Sequence, residues 1–542
     1  NPNFVGRNDE IELFQKTATE MANAFHAPTR ICLVTGVGGI GKSLLMIHGL
    51  ERIRKTLRCA KKNVLVTKHS ARDGDTLVPF SVMRAVLLDL FGVRSARRID
   101  DASSAFSNPS GRSWRQLDVG SEGKTGADRI HDRLVGICKE MEVPVEMAAA
   151  ISQQFLGIDH SADINGFFGT KPKDGGKWAA SLVDFMVRAI RRSCYGRDLT
   201  VIAVDDIDKI DNMSWKVLEK IFELGDSSVL VLCTSRRFDL GRTEFWETLR
   251  NDHSRNKRFH QIDLDFLTDD EMRRMTAITL GVSEDNINHR MLQNVMQSQG
   301  LPQHATLILE ELHRTLTSIR EDEEEEEDAP NECPTLTQLI LQRIDALHPS
   351  VRNVLTIGAI VGHSFDLVEV VEVLRHTSND PNPYAHIRRT QAALSSALES
   401  GIVQEEYDSD EDQHDKSIPP EWRNGVYTFE HELLRSTLLK LVLEERKRNI
   451  HQTIAETMEA QGLGKSKDFM TRMRIMAHWK SSGSRAQASS LGLTIGQEFV
   501  DIGLNEQAIG VYEGCVEMWC TRRDSDEIEN DLPKDEVELL IK

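Results

Sequence analysis

The chain lacks any apolar run approaching the ~18 residues of a membrane span. It also lacks a charged, apolar and small-residue leader at its start. Both absences argue against a membrane-spanning or secreted protein and lead to the expectation of a cytoplasmic one. A basic balance is missing too. Lys and Arg number 66 against 85 Asp and Glu, a net charge of −19, whereas a general nucleic-acid binder usually carries a basic footprint. The eight cysteines include no C-x-x-C pair and keep no regular spacing. Cys32 and Cys233 fall inside apolar strand-like runs, the pattern of buried free thiols in a reducing compartment. The first residue is Asn1 rather than Met, and the last helix-like segment has no evident end. The sequence is therefore expected to be a piece of a larger protein.

What is present begins with length. A chain of 542 residues exceeds one hydrophobic core and suggests roughly three to four domains. Hydrophobic content of 39% and charged content of 28% are those of ordinary globular protein. The most informative stretch is Gly36-Val37-Gly38-Gly39-Ile40-Gly41-Lys42-Ser43, which fits the phosphate-loop pattern G-x-x-x-x-G-K-[ST]. It follows an apolar strand-like run, Ile31-Cys32-Leu33-Val34, and leads into a helix start at Leu44-Leu45-Met46-Ile47. Glycines let backbone N–H groups close around phosphate oxygens, and a helix N-terminus adds partial positive charge. Lys42 can reach the β- and γ-phosphates, and the Ser43 hydroxyl can ligate Mg²⁺.

Further strands are expected at Asn63–Thr67, Leu199–Asp206 and Val229–Arg236, separated by helical patterns. Continuous apolar strands alternating with helices indicate a parallel sheet with helices on both faces. Residues 1–265 therefore read as one α/β nucleotide-binding domain, with a polar insertion at about 95–126. Residues 266–320 read as a helical lid. The block Glu321–Asp328 reads as a solvated acidic linker within 321–333. Residues 334–440 read as a small helical domain ending in a β-hairpin, interrupted by an acidic stretch at 405–415. Residues 441–542 read as wholly helical, with a helix-pair pattern at Phe499–Trp519 that is too short to prove a repeat period.

A phosphate loop needs a second acidic site, at the end of a neighbouring buried strand on the carboxyl edge of the sheet. Asp205 fits that place and can hold Mg²⁺ opposite Ser43. Asp206 can orient or activate the attacking water, or serve as a cap or supporting carboxylate. Asp208 and Asp211 read as local caps and surface charges. Arg236 ends the Val229 strand, where a guanidinium can sense a γ-phosphate or form a surface salt bridge.

Taken in order, the motifs carry a resemblance. Phe4-Val5-Gly6-Arg7, the loop at 36–43, Val204–Asp211, Thr234-Ser235-Arg236, Leu264–Glu271 and Gly300-Leu301-Pro302 resemble the STAND class of AAA+-related signalling ATPases. In particular they resemble the origin-recognition-type AAA ATPase module that occurs beside nucleotide-cyclase or kinase domains, as in soluble adenylyl cyclases. Leu339–Phe365 and Phe429–Arg435 look like the winged-helix part of those proteins, and the C-terminal helices look like tetratricopeptide-type repeats. The resemblance implies that Gly36, Gly38, Gly39, Ile40, Gly41, Lys42, Ser43 and Leu44 hold the phosphates of ATP or ADP. It implies that Phe4, Val5 and Arg7 lie near the adenine end and that Pro302 packs on the base or ribose. It further implies that Arg236 is the sensor arginine and that His431 contacts ADP phosphates in a closed state. Asp206 stands where fast AAA+ ATPases have glutamate, which implies slow turnover. No arginine finger is evident; Arg191 and Arg192 are candidates by charge alone.

The leading functional expectation is an ATP-binding signalling switch with slow Mg²⁺-dependent hydrolysis, controlling an output domain or a partner. Its partner would be a protein bound through the C-terminal helices, with self-association on ATP binding and no role for nucleic acid or membrane. Two alternatives stay open: a winged-helix DNA-binding initiator or regulator, and a non-hydrolysing scaffold that keeps its nucleotide.

Overall fold

The structure is a computed structural model. It describes residues 5–24, 27–71, 76, 78–91, 126–142, 148, 151–156, 175–224, 228–236, 246–247, 249, 258–287, 289–319, 336–377, 383–406, 426–430 and 432–520. Most of the 95–126 insertion, the acidic block Glu321–Asp328, most of the acidic stretch at 405–415, Phe4 and His431 lie outside the described residues.

In chain order the first elements are α1 (Asn8–Asn23), β1 (Arg30–Gly36), α2 (Lys42–Cys59), β2 (Val64–Ser70), α3 (Ser81–Leu90), α4 (Gly126–Met141) and α5 (Gly175–Cys194). They continue as β3 (Leu199–Asp205), α6 (Asn212–Leu224), β4 (Val229–Arg236), β5 (Phe259–Asp263), α7 (Asp269–Leu280), α8 (His289–Met296), α9 (Pro302–Ile319) and α10 (Leu336–Asp345). Then follow α11 (Pro349–Val361), β6 (Ser364–Asp366), α12 (Leu367–Thr377), α13 (Pro383–Glu399), β7 (Val403–Glu406), β8 (Val426–Phe429) and α14 (Glu432–Leu441). The last are α15 (Glu444–Ala460), α16 (Phe469–Ser482), α17 (Arg485–Asp501) and α18 (Asn505–Cys520). Contacts divide the chain into two compact units. The first comprises Asn1–Asp73, Ile190–Ile210 and Trp215–Ala346; the second comprises Gly74–Ala189, Asp211–Ser214 and Leu347–Lys542.

The first unit is built on a five-stranded parallel sheet of order β2-β3-β4-β1-β5. Side chains alternate between its faces. Cys32, Val34, Val201, Ala203, Leu230 and Leu232 join a core with Phe14 and Met21 of α1 and Leu45, Met46 and Ile53 of α2. The intervening Leu33, Ile202, Val204, Val229 and Val231 are buried as well. Burial on both faces is why these strands read as unbroken apolar runs. Helices α1 and α2 approach closely because Gly49 has no side chain; a Cβ there would stand 2.5 Å from the Phe14 ring. Strand β5, with the mixed sequence Phe-His-Gln-Ile-Asp, was not anticipated from the sequence, and it pairs beside β1.

After β5 the chain enters the helical segment α7 to α9. Thr268 caps α7 through a capping box, its hydroxyl accepting from Glu271 N–H while the Glu271 carboxylate accepts from Thr268 N–H at 2.8 Å. Leu267, Met272, Met275, Val295, Ala305, Ile308 and Leu309 form a second hydrophobic core among these helices. Helix α10 packs on α9, where buried Arg343 pairs with Glu310 at 2.9 Å.

The second unit is largely helical. Helix α3 is buried nearly all round, through Val82, Met83, Val86, Leu87, Leu88 and Leu90. Phe80, Phe155, Phe469 and Phe499 form a chain of ring contacts 4.8–5.5 Å between centroids. Strands β6, β8 and β7 form an antiparallel sheet in that order, so the expected hairpin carries a third strand. Helices α15 to α18 pack each against the next. Cys32, Cys59, Cys138, Cys194, Cys233 and Cys515 are free thiols, and Cys32 and Cys233 are fully buried. No helix among the described residues is long and apolar enough to cross a membrane.

Candidate nucleotide-binding site

Strand β1 delivers Gly36 into the loop, and α2 opens at Lys42. Gly39 and Gly41 have φ of 78° and 96°, a conformation that residues with a Cβ rarely adopt. Around Gly38 and Gly41 nothing lies within 4 Å of where a Cβ would stand. Gly41 caps α2 without a side chain, and the first intrahelical bond is Leu45 N–H to Gly41 O at 2.9 Å. The N–H groups of Lys42, Ser43 and Leu44 thus have no intrahelical acceptor, and the helix end is a ready anion site. Ser43 is exposed, Leu44 is half-buried, and Ile40 is buried beneath the loop in the sheet core.

Lys42 is only 7% exposed. Its ammonium donates to Gly36 O at 3.1 Å and Val37 O at 3.0 Å, using two of its three donors. Burial lowers its pKa; Asp206 and Asp205 push it back up, Arg236 adds to the lowering, and Asp208 raises it. The structure therefore brings Lys42, Asp205, Asp206, Asp208 and Arg236 within electrostatic reach at the carboxyl edge of the sheet. Strand β3 is not the immediate neighbour of β1, because β4 lies between them. The sequence-based expectation of a neighbouring strand is corrected accordingly.

Thr234 organises this edge, and sequence reasoning assigned it no role. Its hydroxyl donates to Asp205 Oδ1 and accepts from the Asp206 N–H at 2.9 Å. The Asp206 backbone is left-handed, with φ 53° and ψ 54°, and its carboxylate pairs with Lys209 at 3.3 Å. Ser235 donates to Asp208 at 3.0 Å. The next residue, Arg236, ends β4 with its side chain exposed. Asp211 is not a surface charge as expected from the sequence; it is 1% exposed and caps the start of α6.

Just before α9, Gly300 accepts from Leu267 N–H at 2.9 Å, and Gly300 φ is 77° with Leu267 O at 2.5 Å from any Cβ. Leu301 packs against the sheet core. Pro302 is the first residue of α9, where proline is tolerated. The next residue, Gln303, reaches the phosphate loop: its N–H donates to Gly39 O at 3.2 Å. Its side chain stands where a Gly39 Cβ would come 2.7 Å from Oε1. Nothing in the sequence signalled this contact, since Gly-Leu-Pro-Gln reads as ordinary loop punctuation.

Arg7 donates to Asp265 O and pairs with Glu10 at 3.7 Å. Val5 packs against the core of α7 to α9 and, with Gly6 and Asn8, lines a cavity of about 480 Å³ shared with Arg274, Ala277, Ile278, Val282, Ser283 and Glu284. Arg191 and Arg192 occupy the last turn of α5, leading into the amino end of β3. That edge of the sheet is remote from the loop, so the structure does not bring them to it.

The fold and site define a parallel sheet with flanking helices like that of P-loop ATPases, followed by a mostly helical C-terminal region. Residues 3–232 match the family model described as the AAA ATPase domain. Among solved structures, the chain is similar to the ORC1 protein of Aeropyrum pernix in complex with DNA, with 11% identity and a TM-score of 0.32, covering 81% of this chain and 92% of that one. It is similar to the ORC2 protein of the same organism in its ADP form, with 10% identity and a TM-score of 0.32, covering 84% and 97%. A Walker-type ATPase of Pyrococcus abyssi is similar at 11% identity and a TM-score of 0.29, covering 80% and 96%. The search of curated proteins found no match.

Proposed function

We propose that the chain binds ATP and ADP at residues 36–43 and acts as a conformational switch with slow Mg²⁺-dependent hydrolysis. The observation that carries this reading is a buried Lys42, balanced by Asp205 and Asp206, beside an α2 N-terminus whose first N–H groups have no intrahelical acceptor. A nucleoside triphosphate supplies the anion that this donor set fits. Lys42 then exchanges its two loop carbonyls for β- and γ-phosphate oxygens. Ser43 and Asp205 would hold Mg²⁺, which would shield phosphate charge when bound. Asp206 orients the attacking water, and Arg236 senses the γ-phosphate. Val5, Arg7 and Pro302 would complete the nucleotide contacts.

Slow turnover is supported by Asp206 itself, whose shorter carboxylate sits on a left-handed backbone and is paired with Lys209. ATP and ADP shift the lid population only as far as their affinities for the two states differ. A protein partner would engage the α15–α18 stack, and ATP binding would favour self-association. The test is titration of ATP and ADP into wild-type chain and Lys42→Ala, with phosphate release measured alongside. Unchanged affinity in the variant sinks the reading; tight binding without turnover favours a nucleotide-retaining scaffold.

A second reading has support from the second unit. The order helix, β6, helix, helix, β7, β8 is that expected of a winged helix at 334–440, which would permit DNA binding. Net charge opposes it. A salt-dependent shift of duplex DNA at physiological ionic strength would revive it.

A further inference from the structure

Gln303, the second residue of α9, joins the lid to the phosphate loop. The joint has three parts within the first unit. Gly300 is locked against Leu267 by a 2.9 Å bond and by the absence of space for a Cβ. Leu301 is anchored in the core that also holds Ile40 and Val34. Gln303 then meets Gly39 twice, through its N–H to Gly39 O at 3.2 Å and through its side chain, whose Oε1 occupies the space 2.7 Å from where a Gly39 Cβ would stand. Gly39 stands at φ 78°, so its peptide is held in a conformation that most residues avoid. A change in the tilt of α9 must therefore displace the Gly39 carbonyl or break this contact.

We propose that Gln303 is a positioning residue that couples occupancy of the phosphate loop to the lid, by packing its side chain against Gly39. This inference rests on the nucleotide-binding reading above and goes beyond it by naming the latch. Anion binding to the N–H groups of 38–43 settles the Gly39 peptide, and the settled peptide orders the start of α9. Truncation of Gln303 leaves the loop able to bind but removes the steric part of the coupling. A side chain of similar length restores it, because the contact is one of shape.

The experiment is hydrogen exchange with ADP and Mg²⁺ on the full chain, read separately for peptides covering 36–43 and 300–306, in wild type, Gln303→Ala and Gln303→Met. ADP should protect both segments in wild type. In Gln303→Ala it should protect 36–43 while protection at 300–306 is largely lost, and ADP should dissociate about 2- to 30-fold faster, the usual range for a coupling residue. Gln303→Met should restore protection at 300–306 and bring release back to within about twofold of wild type. Equal ADP-dependent protection at 300–306 in wild type and Gln303→Ala overturns the latch while leaving nucleotide binding intact. Failure of ADP to protect 36–43 in wild type overturns the nucleotide reading itself.

Discussion

Asp205 and Asp211 lie on one short stretch of chain and are used in opposite ways. Asp211 is spent on the fold. Its Oδ1 accepts from the N–H groups of Phe80, Met213 and Ser214 at 2.8–3.0 Å, and its Oδ2 accepts from the Ser81 hydroxyl at 3.0 Å. Burial raises its pKa, opposed only in part by the hydrogen bonds from Ser214, Phe80 and Ser81. Asp205 is 9% exposed and has a bond from Thr234 to its Oδ1 and a field shared with Lys42. The number of protein donors around each carboxylate, not its burial, separates a structural group from one that can meet a ligand.

Breaking the contrast at its strongest point means removing Lys42. Lys42→Ala should weaken ATP and ADP a hundredfold or more, about 3 kcal/mol, and hydrolysis should vanish with binding; calorimetric titration reads the first and phosphate release the second. Asp205→Asn should cut hydrolysis by about 10²- to 10³-fold while Mg²⁺-free ADP affinity changes little. A matching fall in Mg²⁺-free affinity would show that Asp205 supports the loop rather than the metal. Asp211→Ala should do the reverse. It leaves three N–H groups without their acceptor and should lower urea-derived stability by about 2–3 kcal/mol, with nucleotide affinity unchanged. Asp211→Asn should lose less, because its carbonyl can still accept from those N–H groups.

The smallest expected effect concerns pH. His451 and His478 meet through their Nδ1 atoms at 2.9 Å between α15 and α16. Burial lowers the pKa of His451 from 6.5 to about 4, with Lys447 contributing, and holds His478 well below its ordinary value. The unfolded chain therefore takes up a proton near pH 6.5 that the folded chain refuses until about pH 4. Stability should be full above pH 6.5 and fall as pH drops toward 4, by about 2 kcal/mol at pH 5 for His451 alone. His451→Gln should flatten that slope in thermal melts at pH 5 and 7; an unchanged slope would assign the acid loss to carboxylates.

Much of the first unit was legible because its signals are local. The loop at 36–43 is a contiguous motif, and β1, β3 and β4 are apolar runs that only a doubly covered sheet accommodates. Strand β5 escaped because five mixed residues carry no clear period, and it forms by pairing beside β1. Thr234 escaped because a threonine at a strand end has no meaning until β3 lies alongside β4. Asp211 was legible as a cap from Met213 and Ser214, but not as buried, since Phe80 and Ser81 come from a distant part of the chain.

By itself, then, the sequence determined the phosphate loop, the parallel sheet, the acidic strand end and the helical character of the C-terminal half. Those properties follow from backbone freedom at glycine, hydrophobic period and short-range order. Only the tertiary structure decided that β4 separates β1 from β3, that Thr234 holds Asp205 and Asp206 together, and that Gln303 touches Gly39. Each of these depends on which distant surfaces bury one another, and packing across a sheet edge or a helix end leaves no periodic trace in the residues that make it.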